Sequence, residues 1–363
     1  MKISPIPQFG NFGVFVDNVD MAHMSDEEWM ELGQLYVDKL LLIFRNIKMD
    51  KVQYLDWMPK WGPLKNNSRA YLYGKYGPGL DATRPETWEK VGLSDDDRKW
   101  IEHRQYHFEE SGDGRYLSRI YGGKDEQGHA LGYFSDGEVF WHSNESSTLT
   151  FSPTVSLLGW SHMEGSATGF LQTVDLYESL SQSFRSELEE MVMVHRYEVG
   201  RVNKNEETDP GLALHMRMGF CPVDGAETPM VCTAPNGRKG LHYTVNTRAE
   251  IKGMSQAESN SMFAFLDRLV FNERWIYDHY YQANNDLLIF DQSVTLHRRF
   301  GNHPERKAFR MAFDISPLLD TAWAPWQHQE KYHELYCTQI GELVSNVGGD
   351  LQARSKLPQG LVK

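Results

Sequence analysis

The first fifty residues alternate short apolar runs with one amphipathic stretch, and this pattern predicts strand, helix and strand in that order. Val14-Phe15-Val16 is apolar and β-branched, as a buried strand requires. Ser25-Asp26-Glu27-Glu28 has the spacing of a capping box, and Trp29, Leu32, Leu35, Tyr36 and Leu40 follow it at helical intervals. Leu41-Leu42-Ile43-Phe44 then reads as a strand buried on both faces. Asp50 is placed to cap a second helix carrying Val52, Tyr54, Leu55 and Met58, ended by Pro59 and Gly62.

From about 63 to 138 the periodicity weakens and the chain becomes rich in Gly, Tyr and charge, apart from a helix opened by Ser94-Asp95-Asp96-Asp97. Long irregular segments in compact domains often serve as lids or binding loops. Regular pattern returns at Val139-Phe140-Trp141-His142, which predicts a strand ending at His142. Thr154 to Trp160 and Phe170 to Val174 read as further strands, and one helix is expected from about Asp175 to Met191. A strand is expected at Leu241 to Val245, a capped helix after Ser255, a buried strand at Asp286 to Asp291, and an alternating strand at Phe309 to Ile315. No internal repeat or linker divides the chain. A single domain over 1–317 is expected, with a long insertion at about 63–138 and residues 318–363 as a C-terminal appendage.

Composition adds only broad limits. The chain has 363 residues, 40% hydrophobic and 12% aromatic, enough for a sizeable core. A formal net charge of -13 argues against nucleic acid or an anionic membrane as partner. No apolar stretch approaches the roughly 18 residues of a membrane span, and Met1-Lys2-Ile3-Ser4-Pro5 does not open a signal peptide, so a cytoplasmic location is expected. Cys221, Cys232 and Cys337 are widely spaced, as ordinary buried thiols would be. Nothing in the sequence sets an oligomeric state.

The chemistry gathers in two places. Trp141-His142-Ser143-Asn144-Glu145 offers an imidazole at a strand end, and His297 lies far downstream, followed by Arg306 and Arg310. A mononuclear non-haem iron site uses two imidazoles and a carboxylate on one face of the metal. The acid expected two residues after the first histidine is here the amide Asn144. Four arrangements follow: Asn144 ligates through its oxygen; Glu145 takes the place, although the pleat would point it away; water or chloride fills the position; or the site holds no iron. Arg306 and Arg310 share one face of a strand if both lie on it, and a guanidinium matches a carboxylate bidentately.

Over roughly residues 3 to 316 the chain resembles the taurine dioxygenase-like family of Fe(II)- and 2-oxoglutarate-dependent oxygenases. The resemblance rests on the opening strand-helix-strand ending in Leu42-Ile43-Phe44-Arg45-Asn46, on Trp141-His142, on Thr168, on Gly237-Arg238-Lys239, on Phe290-Asp291 ahead of His297, and on the paired arginines. It implies a mixed α and β protein with a double-stranded β-helix, or jelly roll, core and flanking helices. It further implies His142, Asn144 and His297 at the metal, and Thr168, Arg306 and Arg310 around 2-oxoglutarate. His242 and Tyr243 fall where the family contributes substrate contacts. The implied activity is hydroxylation of a small molecule. The alternatives are a non-catalytic 2-oxoglutarate-binding or regulatory protein, motivated by Asn144, and a halogenase with chloride in the acid's place.

Overall fold

The computed structural model describes residues 1–62, most of 75–147, 151–196, 224–282, 284–301 and 303–313, together with 315, 318 and 319. Seventeen strands are assigned among these residues. Those of the first half are β1 (Lys2–Pro5), β2 (Val14–Asp17), β3 (Leu41–Phe44), β4 (Phe108–Glu110), β5 (Tyr116–Arg119), β6 (Val139–His142), β7 (Thr154–Ser161) and β8 (Ala167–Gln172). The second half adds β9 (Val192–His195), β10 (Ala226–Pro229), β11 (Val231–Thr233), β12 (Lys239–Leu241), β13 (Arg248–Ile251), β14 (Ile276–Tyr280), β15 (Leu287–Asp291), β16 (Thr295–Phe300) and β17 (Lys307–Phe313).

Two sheets matter for the site. The larger runs β1-β2-β3-β15-β7-β17-β5-β4, and the smaller runs β14-β8-β16-β6. Strict alternation sorts the side chains of each strand between two cores. On β15, Leu288 and Phe290 join Val155, Phe170, Ala308 and Ala312 in the space between the sheets, while Leu287 and Ile289 face the opposite way. The ring of Phe170 on the small sheet meets that of Phe290 on the large one at 5.1 Å, edge to face. This pairing of sheets is the jelly-roll arrangement that the sequence implied.

Helices close the outer faces. α1 (Asp26–Lys39) and α2 (Lys51–Trp57) cover the large sheet with Trp29, Leu32, Tyr36, Tyr54 and Leu55. Both carry the capping boxes expected at Ser25 and Asp50, each with its reciprocal side-chain bonds. Tyr36 and Tyr54 also reach the sheet through hydroxyl bonds to Thr154 at 3.0 Å and Ser156 at 2.7 Å, which satisfy polar groups inside that packing. On the other side α7 (Gln256–Val270), capped by Ser255, packs Phe263, Leu266 and Val270 against Trp141, Leu171 and Leu296 of the small sheet.

The structure departs from the expected pattern in three places. The single helix from 175 to 191 is two, α5 (Val174–Ser179) and α6 (Gln182–Glu189), because the Ser181 side chain accepts from Phe184 N and starts a new helix. The region read as irregular contains, besides the helix expected after Ser94 (α4, Asp95–Gln105), α3 (Pro85–Lys90) and the β4–β5 hairpin, and that hairpin extends the large sheet beside β17. The strand expected at Leu241 to Val245 is short and precedes that stretch, as β12. Residues 63–74, 197–223 and 320–363 lie outside the described residues, and with them Cys221, Cys337 and nearly all of the expected appendage. Leu318 and Leu319 pack on the α1 side of the core.

Gly122 marks a close crossing near the start of β17. Its N–H donates to the Arg306 carbonyl at 2.9 Å, and a Cβ there would lie 2.3 Å from the His303 carbonyl oxygen and 2.7 Å from that of Pro304. Backbone cannot yield as a side chain can. Gly122→Ala is therefore expected to cost about 1–3 kcal/mol in urea unfolding. A variant as stable as the parent would contradict the crossing.

Candidate active site

The site is built where β6 and β16 pair. His142 and His297 are register partners across that ladder, and their ring centroids lie 4.1 Å apart. Alternation points Trp141 and Leu296 outward into the helix-covered core, so the two histidines face the space between the sheets. A tight turn after β15 delivers β16: Asp291 Oδ1 accepts from Ser293 N, Ser293 Oγ and Val294 N, which closes the chain back on itself.

Both rings are held in the tautomer that leaves a lone pair on Nε2. The His142 Nδ1–H donates to the Phe140 carbonyl at 2.6 Å. His297 Nε2 lies 3.2 Å from the Asn144 amide nitrogen and accepts from it, which puts the ring proton on Nδ1. Burial, with help from the nearby Arg310 charge, holds His142 down at about 4 and His297 well below the ordinary histidine range. Neutral imidazoles are the form that binds a metal.

Asn144 is turned by a neighbour that sequence reasoning did not single out. Gln292 Oε1 accepts from Asn144 N at 2.8 Å and from Asn144 Nδ2 at 3.0 Å, while Gln292 Nε2 is committed to the Ser152 carbonyl. The donor on one amide thereby fixes the other, and Asn144 presents its nitrogen to His297. An amide nitrogen carries no lone pair for a metal. In this arrangement Asn144 is a hydrogen-bond donor, and ligation through its oxygen, as expected from the sequence, requires the amide to turn away from Gln292.

Glu145 also departs from the pleat argument. The strand ends at His142, and Glu145 sits in the following turn with a φ of 66°. Its Oε1 lies 3.7 Å from Arg310 Nη2, on the site side and not away from it. Arg310 projects from the inward face of β17 between Ala308 and Ala312, and among the described residues its Nε and Nη2 are buried without hydrogen bonds. Arg306, just ahead of β17, is only 4% exposed and donates to the Ile120 carbonyl at 2.7 Å. Desolvation pulls it down to about 10, the mark of a cation set in an interior that does not fully repay its hydration. Thr168 points inward from β8 and meets the Tyr281 hydroxyl at 3.2 Å.

The remaining two expected residues separate. His242 is fully buried; its ring nitrogens bond the Ser293 carbonyl and Ser146 Oγ, each at 3.1 Å, so it braces the turns that carry Asn144 and Gln292. Tyr243 lies in the outer core against α7, with its hydroxyl bound to Asp267 at 2.7 Å. A substrate contact at Tyr243 does not fit this placement, and neighbours on an extended chain do point oppositely.

Four histidines, 142, 195, 242 and 297, are thus buried and neutral, each depressed chiefly by desolvation. A depressed histidine adds stability that is complete above the unfolded value near 6.5 and is lost as pH falls toward the folded value. For His242, held down at about 4, the loss reaches roughly 3 kcal/mol by pH 4. Urea unfolding should therefore show stability falling between pH 6.5 and 4, with a shallower fall in His242→Gln. An unchanged slope would count against a neutral His242.

Two neutral imidazoles and two inward guanidiniums fit a ferrous ion beside a dicarboxylate, while the third metal position departs from the usual acid. Among the described residues no group of three or more His, Cys, Asp or Glu could hold a metal. Likewise, no described helix is long and apolar enough to cross a membrane.

The chain is similar in sequence and in fold to several known proteins. The chain is 27% identical over 231 residues to an alpha-ketoglutarate-dependent dioxygenase, cnsP, of Penicillium expansum, covering 62% of this chain and 60% of that relative, so this match spans less than two thirds of the relative's length. It is 20% identical over 293 residues to the (S)-phenoxypropionate/alpha-ketoglutarate-dioxygenase of Sphingobium herbicidovorans, covering 80% and 87%. Among solved structures, a putative alpha-ketoglutarate-dependent taurine dioxygenase from Burkholderia xenovorans superposes with a TM-score of 0.58 at 15% identity, over 86% of this chain and 88% of that one. AAD-2 in complex with Mn(II) and N-oxalylglycine gives 0.54 at 18%, over 86% and 97%. Residues 2–312 match the family described as taurine catabolism dioxygenase TauD, TfdA, and the chain belongs to that family.

Proposed function

We propose that this protein is an Fe(II)- and 2-oxoglutarate-dependent oxygenase that hydroxylates a small molecule. The observation that carries the reading is the convergence of His142 and His297, 155 residues apart in sequence, as register partners on paired strands with ring centroids 4.1 Å apart. Ferrous iron held by their Nε2 atoms, with Asn144 Nδ2 giving up its hydrogen bond to His297 Nε2, would supply oxygen activation, with 2-oxoglutarate leaving as succinate and carbon dioxide.

The chain's own residues divide the remaining work. Arg306 and Thr168 form the recess for the distal carboxylate of 2-oxoglutarate, a charge that the desolvated guanidinium rewards. Arg310 stands nearer the two rings and takes the anionic group at that end, whether the keto acid or a substrate carboxylate. Asn144 donates a hydrogen bond into the coordination sphere and leaves the third protein position to water or a small anion. Parts of 63–138 are the candidate cover that keeps water out.

Succinate should form stoichiometrically with loss of 2-oxoglutarate when Fe(II) is added, and should disappear in His142→Ala and His297→Ala. Wild-type protein that consumes no 2-oxoglutarate with Fe(II) would count against the reading. Asn144 facing His297 with nitrogen favours a second reading, a non-catalytic 2-oxoglutarate-binding protein, for which 2-oxoglutarate would bind tightly without metal. A halogenase would show chloride-dependent products.

A further inference from the structure

The wall of the site carries one aromatic hydroxyl that no motif marks. Tyr281 follows β14 directly, is 3% exposed, and places its hydroxyl 3.2 Å from Thr168 Oγ1. Its main chain is tied to the turn that leads into β8: Tyr281 N donates to the Ser166 carbonyl at 3.0 Å, and Gly165 N donates to the Tyr281 carbonyl at 3.2 Å. The ring stands edge to face on His279 at 4.9 Å, and His279 is itself bonded to Asp286 at 2.9 Å. On the other side Gly159 makes room for it, since a Cβ there would lie 3.1 Å from Tyr281 Cε1. The phenol is therefore held at one position relative to Thr168.

Counting hydrogens shows what that position lacks. Each hydroxyl owns one proton, and the bond between Thr168 and Tyr281 uses one of the two. Among the described residues neither hydroxyl has a further hydrogen-bond partner, so one buried O–H is left without an acceptor. Buried donors in folded proteins are almost always satisfied. Burial also pushes the phenol up, so it stays protonated and able to donate, and it interacts electrostatically with the Arg306 guanidinium. A spare hydroxyl donor within electrostatic reach of a buried guanidinium is a donor set for a two-oxygen anion.

We propose that Tyr281 binds the distal carboxylate of the dicarboxylic co-substrate together with Arg306 and Thr168, and helps the site choose dicarboxylic over monocarboxylic 2-oxo acids. This rests on the oxygenase reading above. The phenol supplies, directly or by freeing the Thr168 proton, the donor that complements the charge of Arg306.

The test is calorimetric titration of the Mn(II)-loaded protein with 2-oxoglutarate and with 2-oxopentanoate, which has the same carbon chain but no distal carboxylate. Tyr281→Phe, which keeps the ring, should raise the 2-oxoglutarate Kd about tenfold and leave the 2-oxopentanoate Kd unchanged. Equal weakening of both ligands would mean a purely structural role and overturn the proposal. Wild-type binding of 2-oxoglutarate that Tyr281→Phe leaves unchanged would overturn it alone, whereas wild-type protein that binds no 2-oxoglutarate would overturn the oxygenase reading and this inference with it.

Discussion

Arg306→Gln is expected to weaken 2-oxoglutarate binding by about a hundredfold or more. The guanidinium is 4% exposed and its charge is disfavoured by burial, so the carboxylate that reaches it regains much of what desolvation took. Removing one partner of such a buried charge pair typically costs about 2–5 kcal/mol, which spans the predicted factor. Arg306→Lys should recover only part of the affinity, because an ammonium is a point charge and cannot form the two parallel bonds of the fork. Calorimetry with N-oxalylglycine and the Mn(II)-loaded protein checks this without turnover. An Arg306→Gln protein with parental affinity would move the distal carboxylate elsewhere, with Arg310 the next place to look.

The second large effect concerns the amide. Asn144→Asp supplies the missing anionic ligand and is expected to tighten divalent metal binding at least tenfold, about 1.4 kcal/mol. The gain should be incomplete while Gln292 remains. Gln292 Oε1 faces position 144 and also accepts the backbone N–H there, and its Nε2 is engaged by Ser152, so a new carboxylate oxygen meets an oxygen. Adding Gln292→Leu should release the remainder, which a double-mutant cycle on Co(II) affinity reads as coupling. Additive effects of the two substitutions would show that Gln292 does not set the amide.

Much of the scaffold was legible from local chemistry. Ser25, Asp50 and Ser255 announced their helices because a capping box is complete within four residues, and β3 and β15 were plain apolar runs. β16 was harder. Its inward positions are held by Thr295, His297 and Arg299, so the strand that carries a ligand candidate lacks the apolar alternation that identifies strands. The break between α5 and α6 hid behind Leu180, Phe184 and Leu188, which continue one periodicity across a Ser181 cap.

The site was legible as a set of residue types and not as a set of orientations. His142, His297, Thr168, Arg306 and Arg310 were all named by the motifs and the family resemblance that they carry. What Asn144 presents to His297 depends on Gln292, 148 residues away, and what Thr168 meets depends on Tyr281, 113 residues away. Neither pairing leaves a local trace. Tyr243 is different: its adjacency to His242 already implied that one of the two faces away from the site.

The central claim is that His142 and His297 bind a metal in the same site where Arg306 binds 2-oxoglutarate. Measuring Mn(II) affinity with and without saturating N-oxalylglycine tests it most directly, since ligands that share a site must each change the other's affinity by one common factor. The account predicts mutual tightening of tenfold or more, lost in His297→Ala. Two affinities independent of one another, or Mn(II) binding unaffected by loss of either histidine, would contradict it.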